Sequence, residues 1–546
     1  MKQQPDFDFV VIGAGISGLY QLYRLREQGY SVKGVDASDN IGGVWHQNRY
    51  PGCRLDSESV TYGYFWNKEL LAEFNWNERF ASQPEVLRYI HRAADYMDVR
   101  KDFLFNARVK SARFDEDHGI WRLDFTEGGS APLTARYVIS ALGPLSAPQM
   151  PVIDGIHTFK GETYHTARWP RDPNGFGPDP RVNFAGKRVA VIGTGSSGVQ
   201  VIQEASKVAA EVVVYQRSPN WCTPLGNAPI PADEMEQVKT RYDESVAFQD
   251  STLGAFAHKW LEQNALDVDE QEREAMFEEL YKGPGFALWL GNYKDVLYNP
   301  EANRVLSEFV AKKIRQRVKD PKTAEKLIPT DHGFGTRRVP LETSYYECYN
   351  QDNVTLIDIK EDPIQRITPQ GIQNAAGLRE FDVIVYATGF DAVVGSWNRL
   401  EVIGRGGMSL KDAWKDGYKT YLGMQIAGFP NFFTLVGIQS GATFCNIPRC
   451  SALNIDWMSE MFEQARARGA TLIEPTEKAQ EEYTALCRKL LSLTLIGQTN
   501  SWFTGINKNL QGRNTRDALV WAGGNPGFRD LLHKVASNGY EGLDIR

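Results

Sequence analysis

Two glycine-rich runs in this chain have the spacing that holds phosphate. Residues 13–18 read GAGISG and residues 193–198 read GTGSSG. The first glycine of such a run (Gly13, Gly193) makes a tight turn. The second (Gly15, Gly195) lets backbone N–H groups approach a pyrophosphate, and the third (Gly18, Gly198) lets the following helix pack on its strand. Ile16 and Ser17 complete the first turn, and Thr194, Ser196 and Ser197 the second. Asp36 ends the apolar segment after the first turn, where an acid takes ribose hydroxyls. At the matching place after the second turn stand Gln216 and Arg217, followed by Ser218. A cation there favours the 2′-phosphate of NADP, and each charge-assisted bond contributes about 1.5–3 kcal/mol. The chemistry implied is hydride transfer from an exchanging dinucleotide, NADPH in the second unit, to a resident one, FAD in the first.

The elements that must position these turns are visible around them. Residues 7–12 (FDFVVI) form a buried-type strand, Leu19, Leu22 and Leu25 recur at helical spacing as far as Gly29, and residues 31–35 form a second strand. Residues 187–193 and 211–215 repeat the pattern. Strands over 104–113, 119–126 and 134–141 fit a β-meander within the first unit. Charged amphipathic runs over 231–328 read as a helical insertion, and the buried strand 381–391 returns the chain to the first unit. The expected fold is α/β, with two Rossmann-type dinucleotide-binding domains and the insertion. The FAD domain takes 1–150 and 385–546, the NADP domain 151–230 and 329–384, and the insertion 231–328.

Composition narrows the function classes. A chain of 546 residues implies two to three domains, and 42% hydrophobic with 24% charged residues is an ordinary globular profile. A net charge of −7 offers no footprint for nucleic acid or an anionic membrane. No apolar run reaches membrane-spanning length, and a strand begins by Phe7, so a cytoplasmic location is expected. The six cysteines read as scattered, reduced and structural, and the expected absence of both C-x2-C and C-x4-C spacing argues against a disulfide oxidoreductase. No metal site is expected. The 13 Trp, 23 Tyr and 27 Phe suit either a large core or aromatic walls around flat rings, and composition does not separate the two.

Three further stretches carry candidate chemistry. Residues 42–56 (GGVWHQNRYPGCRLD) suit a loop that wraps a second ring system, although Asp56 on its own reads as a helix cap. Residues 329–340 (PTDHGFGTRRVP) set Arg337 and Arg338 side by side. Residues 159–170 (FKGETYHTARWP) lie where one nucleotide unit hands over to the other. A reduced flavin that reacts with oxygen needs no protein nucleophile; it needs a dry pocket and a cation to hold a flavin peroxide anion.

Here the sequence resembles the class I Baeyer–Villiger monooxygenases. The fingerprint F-x-G-x-x-x-H-x-x-x-W-P is met by Phe159, Gly161, His165, Trp169 and Pro170. The pattern G-G-x-W with Y-P-G-x-x-x-D is met by Gly42, Gly43, Trp45, Tyr50, Pro51, Gly52 and Asp56, and SWFTGIN at 501–507 is similar to the family's W-x-x-G-x-N segment. The resemblance implies that Arg338 sits by the flavin peroxide and the ketone oxygen, with Asp56 as its partner. It implies that Arg337, usually Lys, helps Arg217 with the 2′-phosphate, and that Trp502 closes over the nicotinamide ribose. Gly43, Val44, Trp45, Tyr62, Val109 and Ile447 join the FAD contacts, and Arg54 and Gln200 the NADP contacts. Ser440, Gly441, Ala442 and Thr443 belong to a loop that lines the substrate pocket.

Two departures touch specificity. The family's W-Y-W-N-R is here Trp45-His46-Gln47-Asn48-Arg49. Its G-P-x-S-P is Gly437-Ile438-Gln439-Ser440-Gly441, and loss of two prolines should loosen that loop. The implied reaction inserts one oxygen atom from O2 beside a ketone carbonyl, through NADPH-reduced FAD and a C4a-peroxyflavin, and gives an ester or lactone. The implied partners are O2 and a small ketone, cyclic or bulky, and the protein is expected to be a monomer or weak homo-oligomer. An N- or S-oxygenating flavin monooxygenase and a non-oxygenating NADPH-binding sensor are the alternatives. His165 reads as a linker residue bonded to backbone rather than a general base.

Overall fold

The computed structural model describes residues 4–126, 130–507, 510, 513 and 515–546; the remaining residues of the expected 1–150 and 385–546 unit lie outside the described ones. Phe7–Ile12 (β1) is apolar and buried towards its end, and Gly13 turns at φ +117° into Ile16–Glu27 (α1). Val32–Val35 (β2) then pairs with β1 in parallel, Ile12 opposite Val35. Such a strand, turn and helix must place the turn at the carboxyl edge of the sheet, where open α/β sheets bind ligands.

The expected strand over 104–113 is divided. Phe103–Leu104 (β3) pairs in parallel with β2, and Val109–Asp115 (β4) starts a separate run. Asn106 between them takes φ +54°, a left-handed conformation that asparagine tolerates and that breaks extended backbone. Ile120–Phe125 (β5) runs antiparallel to β4, and Leu133–Ser140 (β6) is antiparallel to β5 and parallel to β1, as a meander inside the unit requires. Glu401–Ile403 joins β4 and Phe432–Thr434 joins β6, so the late part of the chain completes this first sheet.

The second sheet is all parallel. Its order is Val354–Asp358, then Glu211–Gln216 (β9), Arg188–Ile192 (β8), Val383–Tyr386 and Glu162–His165 (β7). Val383–Tyr386 is thus an inner strand of the second sheet. The expected domain border at 384/385 falls inside it, and the chain leaves only after Tyr386, through Ala387-Thr388-Gly389. A small antiparallel sheet over 364–380, which the sequence patterns did not disclose, precedes that strand.

Five helices of seven residues or more occupy 232–327: Ala232–Thr240, Tyr242–Asp250, Glu270–Lys282, Pro300–Arg317 and Pro321–Leu327. Asp269, Asn299 and Asp320 cap three of them by accepting backbone N–H bonds. Arg317 ties this region to the second unit through Glu342, 2.6 Å away and fully buried, four residues after Arg338. Among the described residues no helix is long and apolar enough to cross a membrane.

Candidate functional site

Both glycine turns open onto one cavity of about 1350 Å³. A site for a single small ligand spans roughly 300–1,000 Å³, so this cavity is large for one. Gly15 caps α1 and Gly195 caps Ser196–Ser206, and neither supplies a side-chain bond to the first N–H groups of its helix. Those donors remain for an anion. A Cβ on Gly18 would lie 1.9 Å from the Gly13 carbonyl oxygen, and one on Gly198 2.2 Å from that of Gly193, so the third glycine of each run is required by helix–strand contact.

Around the first turn, the Asp36 carboxylate accepts backbone N–H bonds from Ala14 and Ser38, each 2.6 Å, and borders the cavity. Gly43 takes φ +55°, and a Cβ there would lie 2.7 Å from Gly15 Cα, so the 42–45 loop closes directly on the turn. The Trp45 indole N–H donates to the Tyr62 hydroxyl at 2.9 Å, and burial pushes the Tyr62 pKa up to about 12. Val44, Trp45, Tyr62, Val109 and Ile447 all face the cavity. This cradle fits a long dinucleotide carrying a flat ring system.

Around the second turn, the Thr194 hydroxyl donates to Ser218 O at 3.1 Å. Gln200 accepts from Tyr50 at 2.7 Å and reaches Arg54 O at 3.4 Å, which joins the second unit to the 42–56 loop. Arg54 itself pairs with Glu78 at 2.9 Å. Burial first, and then the charge of Arg337, lowers the Arg217 pKa. An anion placed beside Arg217 and Arg337 would offset that cost to the Arg217 charge. Arg337 also donates to Asp331 at 2.9 Å and, through Nε–H, to the Asn500 carbonyl at 3.0 Å, two residues before Trp502.

Arg338 and Asp56 meet between the two turns at 2.8 Å, across 282 residues of sequence. Asp56 is nearly buried and Arg338 half-buried, with Phe286 beneath the guanidinium at 5.2 Å. The helix-cap reading of Asp56 fails, because its carboxylate binds this arginine. Behind the pair, Glu58 and His258 form a buried contact of 2.9 Å. Phe256 of the inserted region, Phe444, Tyr62 and Trp502 supply aromatic wall. No spacing in the sequence marked Phe256 or Phe444, because each reaches the cavity from an irregular segment.

The 437–443 loop departs from expectation. Of Ser440, Gly441, Ala442 and Thr443, only Thr443 lines the main cavity, together with the next four residues to Ile447. Ser440 is held by Asn454 at 3.0 Å, and a Cβ on Gly441 would meet the Phe528 ring at 2.4 Å. Nor is the loop loose. Gln439, at φ +63°, is fully buried and bonded to Leu519, Thr420 and Tyr483. Hydrogen bonds fix what the family's prolines fix by ring closure.

Gln47 lines the cavity that holds the Arg338–Asp56 pair, and His46 does not. His46 bonds Asp39 at 2.8 Å, and burial lowers its pKa. Gln47 bonds Ser38 and accepts from Arg168 at 2.9 Å, tying the 42–56 loop to the linker.

Phe159, Gly161, His165, Trp169 and Pro170 border none of the cavity. A Cβ on Gly161 would lie 2.6 Å from Asp382 O, and Trp169 packs on Tyr164 with ring centroids 4.8 Å apart. Pro170 O accepts from the Asp179 N–H. His165 Nδ1 accepts the Ala167 N–H at 3.0 Å, so the neutral ring carries its proton on Nε2, which faces Gln149 O at 3.3 Å and Thr388 Oγ1 at 3.4 Å. It touches the two places where the chain crosses between the sheets.

The cysteine expectation is corrected. Cys445 and Cys450 have C-x4-C spacing and form a disulfide, while Cys53, Cys222, Cys348 and Cys487 are free and buried.

The family described as flavin-binding monooxygenase-like matches residues 8–271. The 2-oxo-Δ3-4,5,5-trimethylcyclopentenylacetyl-CoA monooxygenase of Pseudomonas putida is 49% identical over 543 residues, covering 100% of this chain and 99% of the relative. Cyclopentanone 1,2-monooxygenase of a Comamonas species is 42% identical over 540 residues, 98% of this chain and 96% of the relative. Among solved structures, OTEMO in complex with FAD and NADP aligns with a TM-score of 0.95 at 48% identity over 100% of both chains. Similarity of this extent, together with the two cradles and the Arg338–Asp56 pair between them, leads to one assignment: the chain belongs to the flavin-binding Baeyer–Villiger monooxygenases.

Proposed function

We propose that this enzyme takes a cyclic or bulky ketone between Arg338 and the aromatic wall of Phe256, Phe444 and Trp502. The reaction class inserts one atom of O2 beside a ketone carbonyl to give an ester or lactone, with FAD and NADPH as cofactors. The observation that carries the residue assignment is the Arg338–Asp56 ion pair, 2.8 Å long, on the wall of the cavity shared by both glycine turns. The ring ketones named in the two relatives support a cyclic substrate.

When bound, FAD accepts a hydride from NADPH and, once reduced, activates O2. Arg338 supplies fixed positive charge where negative charge develops on oxygen, and its N–H groups polarise the ketone carbonyl. Asp56 directs the guanidinium, and Phe286 beneath it holds the planar group from its other face. The aromatic wall keeps water from the reacting oxygen. Asp36 takes the ribose of FAD, Arg217 and Arg337 take the 2′-phosphate of NADPH, and Trp502 covers the nicotinamide side. His165 and its neighbours form the joint between the units. On composition alone we place the enzyme in the cytoplasm, as a monomer or weak homo-oligomer.

With purified enzyme, NADPH and labelled O2, a panel of cyclopentanones and bicyclic ketones is expected to give lactones carrying one labelled oxygen atom. A panel that yields only sulfoxides or hydroxylamines from matched sulfide and amine probes would overturn the assignment.

A further inference from the structure

Cys445 and Cys450 take no part in this chemistry, yet they form a sulfur pair at its wall. Asn446 caps the helix Ile447–Ala467, so Cys445 is the residue before the cap and Cys450 the fourth residue of the helix. Side chains at these two places face each other across the first turn, where apolar pairs ordinarily set the angle at which the chain meets the helix. Here the Cα atoms are 6.4 Å apart and a disulfide joins them. The bond fixes the approach of Thr443, Phe444 and Cys445, all of which line the cavity. Asn446 between the sulfurs donates to Thr61 O at 3.0 Å, next to Tyr62, so this corner touches the first cradle as well.

The two sulfurs differ from the other four. Cys53, Cys222, Cys348 and Cys487 are buried away from any partner cysteine, and burial raises each thiol pKa, that of Cys53 and Cys487 to about 12. Such thiols are inert. Cys445, 9% exposed, lines the cavity, and Cys450 lies with it in a small apolar cluster with Ala255 and Ala442, so the cavity is the side from which a small reagent approaches the pair. When the bond is open, Cys445 lies at the N-terminal end of a 21-residue helix, whose positive pole favours the thiolate.

We propose that Cys445–Cys450 is a reversible thiol–disulfide site on the wall of the substrate cavity, opened by a small dithiol and closed by hydrogen peroxide, and that its state sets the shape of the ketone pocket. In the opening step a reagent thiolate attacks the Cys445 sulfur and Cys450 leaves as a thiolate. The second reagent thiol then displaces Cys445. The reagent ends as a cyclic disulfide, and the two cysteines hold the two electrons and two protons it lost. In the closing step the Cys445 thiolate attacks peroxide, leaving a sulfenic acid and hydroxide, which is protonated to water. Cys450 then displaces a second water to form the S–S bond. Hydrogen peroxide is the two-electron reduction product of the O2 that this enzyme consumes.

The effect on turnover rests on the ketone binding in this cavity, whereas the thiol count does not. In folded holoenzyme treated with dithiothreitol and desalted, unfolding in 5,5′-dithiobis(2-nitrobenzoate) is expected to reveal all six thiols of the sequence. After hydrogen peroxide it should reveal four, with a peptide map that links 445 to 450 and full retention of FAD. Six thiols after peroxide, a link elsewhere, or a bond that dithiothreitol opens only in unfolded protein would each overturn the site. The double variant Cys445→Ser/Cys450→Ser should show four thiols under both treatments; if it does not fold, Cys445→Ser, which lacks the sulfur that attacks peroxide, should show five under both. A peroxide-induced loss of thiols from either variant would also count against the pair. The KM for ketone should differ several-fold between the open and closed enzyme while the KM for NADPH stays the same. An unchanged ketone KM would overturn the second half of the proposal.

Discussion

The two glycine turns share a backbone and differ in their surroundings. The first is covered: a Cβ on Gly15 would meet Gly43 Cα at 3.5 Å, and the 42–45 loop lies over it. The second is open, with nothing within 4 Å of a Cβ on Gly195. The strand after the first turn ends in an acid that two backbone N–H groups hold rigidly, and the strand after the second ends in Arg217, beside Arg337. Closure suits a cofactor that stays through every turnover, and openness one that is exchanged once per turnover. On the proposed assignment one motif serves two roles, and the difference lies in what stands next to it.

The sharpest way to break this comparison is to damage each turn in turn. Gly18→Ala puts a methyl 1.9 Å from the Gly13 carbonyl oxygen and should abolish FAD retention, read as the flavin-to-protein absorbance ratio. Gly198→Ala meets the Gly193 carbonyl oxygen at 2.2 Å and should leave FAD in place while flavin reduction by NADPH is lost. Equal flavin loss from both variants would mean that the turns do not serve separate cofactors.

A smaller effect is expected at the strand ends. Arg217→Ala should raise the NADPH requirement about tenfold to a hundredfold, the range of one charge-assisted bond, and leave the NADH requirement unchanged. Equal losses with both coenzymes would remove Arg217 from the 2′-phosphate.

The least change is expected at the joint between the units. His165→Ala should keep FAD and NADPH affinity but divert more NADPH to hydrogen peroxide, and unaltered coupling would remove the joint reading. Burial lowers the pKa values of His165, His46 and His332. The folded state therefore binds fewer protons than the unfolded state near pH 6.5, and stability is lost as pH falls below that value. The melting temperature should be lower at pH 5.5 than at pH 7.5, with a shallower fall in His165→Gln.

Much of this arrangement was legible in the sequence, for identifiable reasons. Both turns, Asp36 and Arg217 were readable because strand, turn and helix fix their spacing within about forty residues. The meeting of Arg338 with Asp56 was not derivable from spacing, since 282 residues and two sheets separate them; only the family pattern pointed to it. Asn106 hid the division between β3 and β4, because one residue at positive φ leaves the apolar alternation intact. The 437–443 loop misled for a different reason. Two lost prolines suggested slack, but the buried hydrogen bonds to Gln439 come from Thr420, Tyr483 and Leu519 and leave no local trace. The Cys445–Cys450 pair was legible and was misread: C-x4-C spacing was expected to be absent, although these two cysteines have it across the start of the helix Ile447–Ala467.

The central claim is that oxygen transfer depends on the cation between the two cradles, while hydride transfer does not. Arg338→Ala, followed by anaerobic flavin reduction with NADPH and then by lactone yield in air, tests it most directly. Flavin reduction should stay within a few-fold of the parent, and lactone formation should fall by about 100-fold or more, the effect of removing one donor to a developing oxyanion. A variant that still forms lactone at the parental rate, or that loses flavin reduction to the same degree as lactone formation, would contradict the account.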